Sequence, residues 1–177
     1  MIIAISGLPG SGTSTVSGIL SERLGIDVVS AGDIFRRMAE ERSLSLKEFG
    51  ELATDDANID QQIDRFQKEI ASDARDAKKD IILESRLSAW ITEPDLAIFI
   101  TASLDIRAAR VAHREKIQVS DAIDHIKERE ACEAGRYENY YGIDIGDMRV
   151  YDLVINSGKW NQHGVAGIIL AAIHAAP

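Results

Sequence analysis

The chain has 177 residues, room for one domain with a sizeable core. Hydrophobic residues make up 45% and charged residues 28%, the balance of an ordinary globular protein, which excludes a disordered chain, a collagen-like repeat and a disulfide scaffold. With 29 acidic residues against 20 Lys and Arg, the formal net charge of −9 disfavours general nucleic-acid binding but leaves room for a locally basic pocket. No apolar run approaches the roughly 20 residues needed to span a bilayer. The opening MIIAISG lacks the basic n-region of a signal peptide. A single Cys132 fits a reducing cytosol. The expectation is a cytoplasmic protein with small-molecule partners and no membrane or nucleic-acid contact.

Strands and helices alternate. Residues 2–6 (IIAIS) form a short apolar strand running into a Gly-rich turn, and residues 13–24 follow as a helix carrying Val16, Ile19, Leu20 and Leu24. Residues 27–30 (DVVS) are a second strand. Residues 33–42 are helical, with Ile34, Phe35 and Met38 on one side. Ser45 and Glu48 have capping-box spacing and open a short helix. Asn58 and Gln61 repeat that spacing before a longer helix whose apolar face reads Ile59, Ile63, Phe66, Ile70 and Ala74. Residues 81–83 (IIL) form a third strand ending at Glu84, and 96–101 (LAIFIT) a fourth. Residues 103–115 and 119–140 are two charged helices. Residues 152–156 (DLVIN) are a fifth strand, and 163–175 a last apolar helix. This order implies a mostly parallel sheet covered on both faces, an α/β fold. The helical stretches 36–78 and 107–146 exceed simple crossovers and read as insertions into one domain spanning 1–177. The second is highly charged with little continuous apolar face.

The strongest motif is Gly7-Leu8-Pro9-Gly10-Ser11-Gly12-Thr13-Ser14-Thr15, between a strand and a helix. Glycines let successive N–H groups curl toward an anion, and the helix N-terminus adds its positive end. The spacing is that of the P-loop, G-x-x-x-x-G-K-S/T, with Thr13 in the Lys position. A hydroxyl from Ser14 or Thr15 would ligate Mg²⁺ beside the phosphates. A dinucleotide fingerprint starting at Gly10 fits less well, because its third glycine position is Thr15. The absent ammonium normally neutralises the β- and γ-phosphates, so other cations are needed.

Arginines supply them. Arg36 lies one turn into the helix after the second strand, with Asp33 before it as either an N-cap or a metal-water ligand. Arg86 follows the third strand directly, and Glu84 at that strand's end suits a carboxylate reaching Mg²⁺ through water. Arg107, Arg110 and Arg114 share a helical face, as do Arg129, Glu133 and Arg136. A solvated face with Glu–Arg pairs is the bland reading of each group. Near a P-loop, guanidinium clusters gain a role because they match phosphate oxygens bidentately. The four histidines (His113, His125, His163, His174) have no metal-ligand spacing.

These residues resemble the nucleoside monophosphate kinases, and within them the cytidylate kinases. The loop is similar to GxPGxGKGT, and Ser30 to Arg36 to the monophosphate-binding STGDxxR. Leu83 to Arg86, Pro94 to Ser103 and Arg107 to Arg110 resemble DGRD…PDAxxKIFLxAS…RAxRR. Glu128 to Arg136 resembles the lid helix ERDxxDxxR, and the Thr in place of Lys is similar to archaeal members. The matches run in order over nearly the whole chain. The resemblance implies a P-loop kinase three-layer sandwich, with a five-stranded parallel sheet of order 2-3-1-4-5, an NMP-binding insertion and a lid. It implies transfer of the γ-phosphoryl group of MgATP to CMP or dCMP by a monomer. Gly7 to Thr15 would bind ATP, with Ser14 on the metal. Asp33, Arg36, Arg86 and Glu133 would bind the acceptor, and Arg110, Arg129 and Arg136 would serve catalysis. Leu87 stands where bacterial relatives carry an acid that helps read the base. UMP, AMP or another small acceptor on the same fold is the alternative. A nucleotide-binding regulator without catalysis is the reading from another class.

Overall fold

Strand β1 (Ile2–Gly7) is buried along its whole length and pairs in parallel on both sides. In a computed structural model that describes residues 1–176, it lies at the centre of a five-stranded sheet with β2 (Asp27–Ser30), β3 (Ile81–Glu84), β4 (Leu96–Thr101) and β5 (Leu153–Asn156). Every pairing is parallel and the order is β2-β3-β1-β4-β5, as the family resemblance implied.

Alternation along the strands feeds two cores. Ile3, Ile5 and Ile82 enter one cluster with Val16 and Leu20 of α1 (Thr13–Leu24) and Val165 and Ile169 of α8 (Gln162–Ala175). Ile2, Ile81 and Leu83 face the other way, against Ala71 and Ala74 of α4 (Ala57–Asp76). Helices therefore cover both faces and the domain has three layers.

Between β2 and β3 the chain forms α2 (Ala31–Glu41), α3 (Leu46–Asp55) and α4. Ser45 and Glu48 make the expected capping box of α3. Other local expectations need correction. Asp33 is not an N-cap: Ser30 fills that position, its hydroxyl accepting from the Asp33 amide at 3.2 Å, so α2 starts two residues early. Asn58 is not a cap either. The Asp56 carboxylate accepts from its amide at 3.0 Å and starts α4. The inward face of α4 keeps the expected Ile59, Ile63 and Ala74 but also takes in polar residues. Phe66 is 44% exposed, whereas Asp60, Asp64 and Gln67 are buried.

After β3 comes an unpredicted single turn, α5 (Ser88–Ile91), and after β4 an antiparallel pair, α6 (Leu104–Glu115) and α7 (Val119–Tyr141). This pair has a core of its own, from Ala108, Val111 and Ala112 to Ala122 and Ile126. Small alanines supply the apolar face that seemed missing from so charged a sequence. The second half of α7 reaches across to α3 and α4. Tyr140 Oη donates to the Ala53 carbonyl at 3.0 Å, and Tyr141 Oη to Asp64 Oδ2 at 2.6 Å. Among the described residues no helix is long and apolar enough to cross a membrane.

Candidate active site

The loop after β1, the start of α2 and the turn after β3 all lie at the carboxyl edge of the sheet, where open α/β folds bind ligands. There they line one cleft of about 840 Å³, roofed by α6 and α7.

At one end the glycine-rich loop opens α1. Gly12 stands at the N-cap with a φ of 97°, no side chain caps the helix, and its first turn holds no acid. The first amides of α1 are thus left to an external acceptor, and the dipole there favours an anion. Gly10 has a φ of 80°, and a Cβ there would lie 2.8 Å from the Arg107 carbonyl, so only glycine fits between the loop and α6. Two arginines of α6 hold the loop through its carbonyls. Arg107 donates to Pro9 O at 3.1 Å, and Arg110 to Ser11 O at 3.2 Å and Ser157 Oγ at 2.9 Å. Arg107 is buried and also pairs with Glu130 at 2.5 Å, so it anchors the loop instead of sharing the solvent face of Arg110 and Arg114.

Thr13, in the Lys position, donates through Oγ1 to Glu84 Oε1 at 2.6 Å, and Ser14 Oγ donates to the same oxygen at 2.7 Å. Glu84 is buried, and no cation pairs with it among the described residues. A buried carboxylate held only by two hydroxyls, beside a helix N-terminus, is a hard-oxygen environment suited to Mg²⁺ carried in with phosphates.

At the other end lies an arginine cluster. Glu133 accepts from Arg86 Nε through Oε2 and from Arg129 Nε through Oε1, each at 2.7 Å. Burial alone would raise the Glu133 pKa, but the two guanidinium groups outweigh it and hold the carboxyl at about 2. Arg86 from the turn after β3 and Arg129 from α7 therefore meet on the Glu133 carboxylate. Arg136 is buried and pairs with Asp60 through Nε at 2.8 Å. Burial works against its charge, yet the Asp60 carboxylate holds it protonated. Arg36 lines the cleft and is paired with Asp33, whose side chain is 72% exposed and lies outside the cleft lining.

Sequence reasoning passed over Asp60, Asp64 and Ser157, and it grouped Arg107 with the exposed Arg110 and Arg114 although Arg107 is buried. The i, i+4 spacing of Asp60 and Asp64 was the only signal for the first two. Leu87 is 1% exposed and does not line the cleft.

Residues 2–159 match the model of the cytidylate kinase-like family. The chain belongs to that family. It is 47% identical to the cytidylate kinase of Methanothrix thermoacetophila over 175 residues, covering 99% of each chain. It is 43% identical to that of Methanocaldococcus jannaschii, covering 98% of this chain and 97% of the other. Among solved structures, an uncharacterized protein from Eubacterium ventriosum aligns with a TM-score of 0.73 at 23% identity, covering 98% of each chain. The shikimate kinase of Bacteroides thetaiotaomicron aligns at 0.59 with 13% identity and the same coverage. These two likenesses show the P-loop kinase fold.

Proposed function

We propose that this protein is a cytidylate kinase that moves the γ-phosphoryl group of ATP to CMP or dCMP. The observation that carries this reading is one cleft with an uncapped helix N-terminus at one end and the Arg86–Glu133–Arg129 triad at the other. A phosphate cradle and a separate guanidinium cluster suit two phosphate-bearing ligands meeting head to head.

The backbone from Gly7 to Thr15 holds the donor triphosphate. Mg²⁺ bound with it would draw charge from the β- and γ-phosphates, and Ser14 Oγ and Glu84 are the groups this chain offers that ion. Arg36 and Arg86 hold the acceptor phosphate. With a second pKa near 6, that phosphate is mostly a dianion at neutral pH and needs no general base. One of its oxygens attacks the γ-phosphorus, the bond to the β–γ bridging oxygen breaks, and ADP leaves with those electrons. Arg110 and Arg129 stabilise the charge spread over the transferring group, whereas Arg136, committed to Asp60 on α4, serves the acceptor nucleotide. Residues 36–78 serve as the NMP-binding insertion. Residues 107–146 serve as a lid that excludes water, which would otherwise compete as acceptor. Arg107 and Arg110 tie the lid's base to the donor loop. The protein acts as a monomer in the cytoplasm, where both nucleotides are found.

A coupled assay of ADP formation with CMP, dCMP, UMP and AMP tests the reading. CMP and dCMP should be phosphorylated well above the other two. Preferred turnover of UMP or AMP would overturn it.

A further inference from the structure

The inner face of α4 is built against the usual rule. Asp60, Asp64 and Gln67 are 4%, 8% and 0% exposed, while Phe66 on the same helix is 44% exposed. Burying three polar side chains and leaving a phenylalanine outside is unfavourable for folding alone. Asp60 and Asp64 are one helical turn apart and both line the cleft on its acceptor side.

Their hydrogen bonding is incomplete. Asp64 Oδ2 accepts from Tyr141 Oη at 2.6 Å, and its Oδ1 has no partner among the described residues. Gln67, one turn on, donates to the Val29 and Glu84 carbonyls, and its Oε1 is buried without a partner. Beside them, Arg136 spends Nε and one Nη2 hydrogen on Asp60, so its second Nη2 hydrogen is free. The cleft therefore presents an unfilled acceptor next to an unfilled donor.

We propose that Asp64, with the Asp60–Arg136 pair beside it, is the base-reading subsite of the acceptor pocket. The inference rests on the cytidylate kinase reading above. Cytosine offers a two-hydrogen amino group at C4 and acceptors at N3 and O2. A carboxylate accepts from the amino group and a guanidinium donates to the acceptor edge. Uracil carries an oxygen at C4 and a hydrogen on N3, so the same carboxylate repels it. Arg36, in the second turn of α2, and Arg86, in the turn after β3, take the phosphate end and leave α4 to the base. Leu87, sealed in the core, cannot take part.

The test is kcat/KM for CMP and UMP in the wild type, Asp64→Asn and Asp64→Glu, each checked for native circular dichroism. Asp64→Asn replaces an acceptor-only group with an amide that can also donate to the uracil oxygen. Its CMP value should fall about tenfold to a hundredfold while its UMP value holds or rises, because leaving a buried polar group of the ligand unmatched costs that much. Asp64→Glu keeps the acceptor out of place, so CMP should fall while remaining preferred over UMP. Equal losses for both nucleotides in Asp64→Asn, or an unchanged ratio, would overturn the inference. A wild type that uses UMP as well as CMP would instead overturn the cytidylate kinase reading on which it rests.

Discussion

Thr13 Oγ1 and Glu84 Oε1 lie 2.6 Å apart, so the residue in the P-loop lysine position is bound to the acid at the end of the neighbouring strand. A lysine there would place an ammonium on Glu84, whereas threonine gives a neutral hydrogen bond and leaves the carboxylate without a cation. The positive charge of the site sits instead on arginines across the cleft. Thr13→Ala should then lower kcat by no more than about tenfold, since one neutral hydrogen bond contributes about 1 kcal/mol and Ser14 still holds Glu84. Arg129→Ala should lower it by roughly a hundredfold or more, the usual effect of removing one preorganised donor. Rates at saturating ATP and CMP decide this. A drastic loss for Thr13→Ala with a mild one for Arg129→Ala would place the compensating charge elsewhere.

Arg86 should matter for the acceptor and not for the donor. It follows β3, touches Glu133, and is separated from the glycine-rich loop's carbonyls, which Arg107 and Arg110 occupy. Removing one charge-assisted contact to the acceptor phosphate should reduce kcat/KM for CMP by roughly tenfold to a hundredfold. ATP binding measured by calorimetry should stay near the wild-type value. Equal weakening of both nucleotides would contradict the assignment.

The two halves of α7 differ in what they rest on. The first half packs on α6 through Ala122 and Ile126. The second half is fastened to α3 and α4 by Arg136–Asp60, Tyr140 and Tyr141. Hydrogen exchange in the free protein should therefore be faster over residues 115–128 than over 133–141, and an ATP–CMP bisubstrate analogue should slow the first segment most. Equal protection of both segments, or no change on binding, would argue against a lid that closes from its tip.

What the sequence revealed follows from the range over which each signal acts. The glycine-rich loop was legible because its chemistry is backbone chemistry set by neighbours, and Ser45 with Glu48 because a capping box closes within four residues. The sheet order came with the family resemblance. The inner face of α4 was legible only in part: Ile59, Ile63 and Ala74 are buried as expected, Phe66 is not. Choosing Phe66 over Gln67 is a one-residue step of about 100° around a 3.6-residue helix, and hydrophobicity favoured the wrong one of the two. Nothing local shows that Asp60 has a partner 76 residues away in Arg136 or that Asp64 has one in Tyr141. The apolar seam of the α6–α7 pair was hidden for another reason: it is made of alanines among many charges.

The unusual burial of Asp64 has a thermodynamic consequence. Burial raises its pKa from 3.8 to about 6, the Asp60 carboxylate adds to this, and the Tyr141 hydroxyl, Lys68 and Arg136 oppose it. An acid whose folded pKa lies above its unfolded value favours the folded state when protonated. That contribution is complete below the unfolded value of 3.8 and is lost as pH rises through about 6. At pH 7 the ionised carboxylate therefore destabilises the fold by about 3 kcal/mol, the free-energy equivalent of raising a carboxyl from 3.8 to about 6. Asp64→Asn keeps the shape and an oxygen for Tyr141 Oη but carries no charge. Urea unfolding should show the variant to be more stable than the wild type at pH 7, with the gain shrinking toward pH 5 and gone near pH 4. Glu133 works in the opposite sense in both proteins: its folded pKa is lowered to about 2, so its contribution is lost only as pH falls below the ordinary carboxylate range, and it cancels in the comparison. A stability gain independent of pH, or a loss at pH 7, would show that Asp64 is retained for packing. A gain at pH 7 together with lost discrimination against UMP would mark it as an acid kept for recognition at the expense of stability.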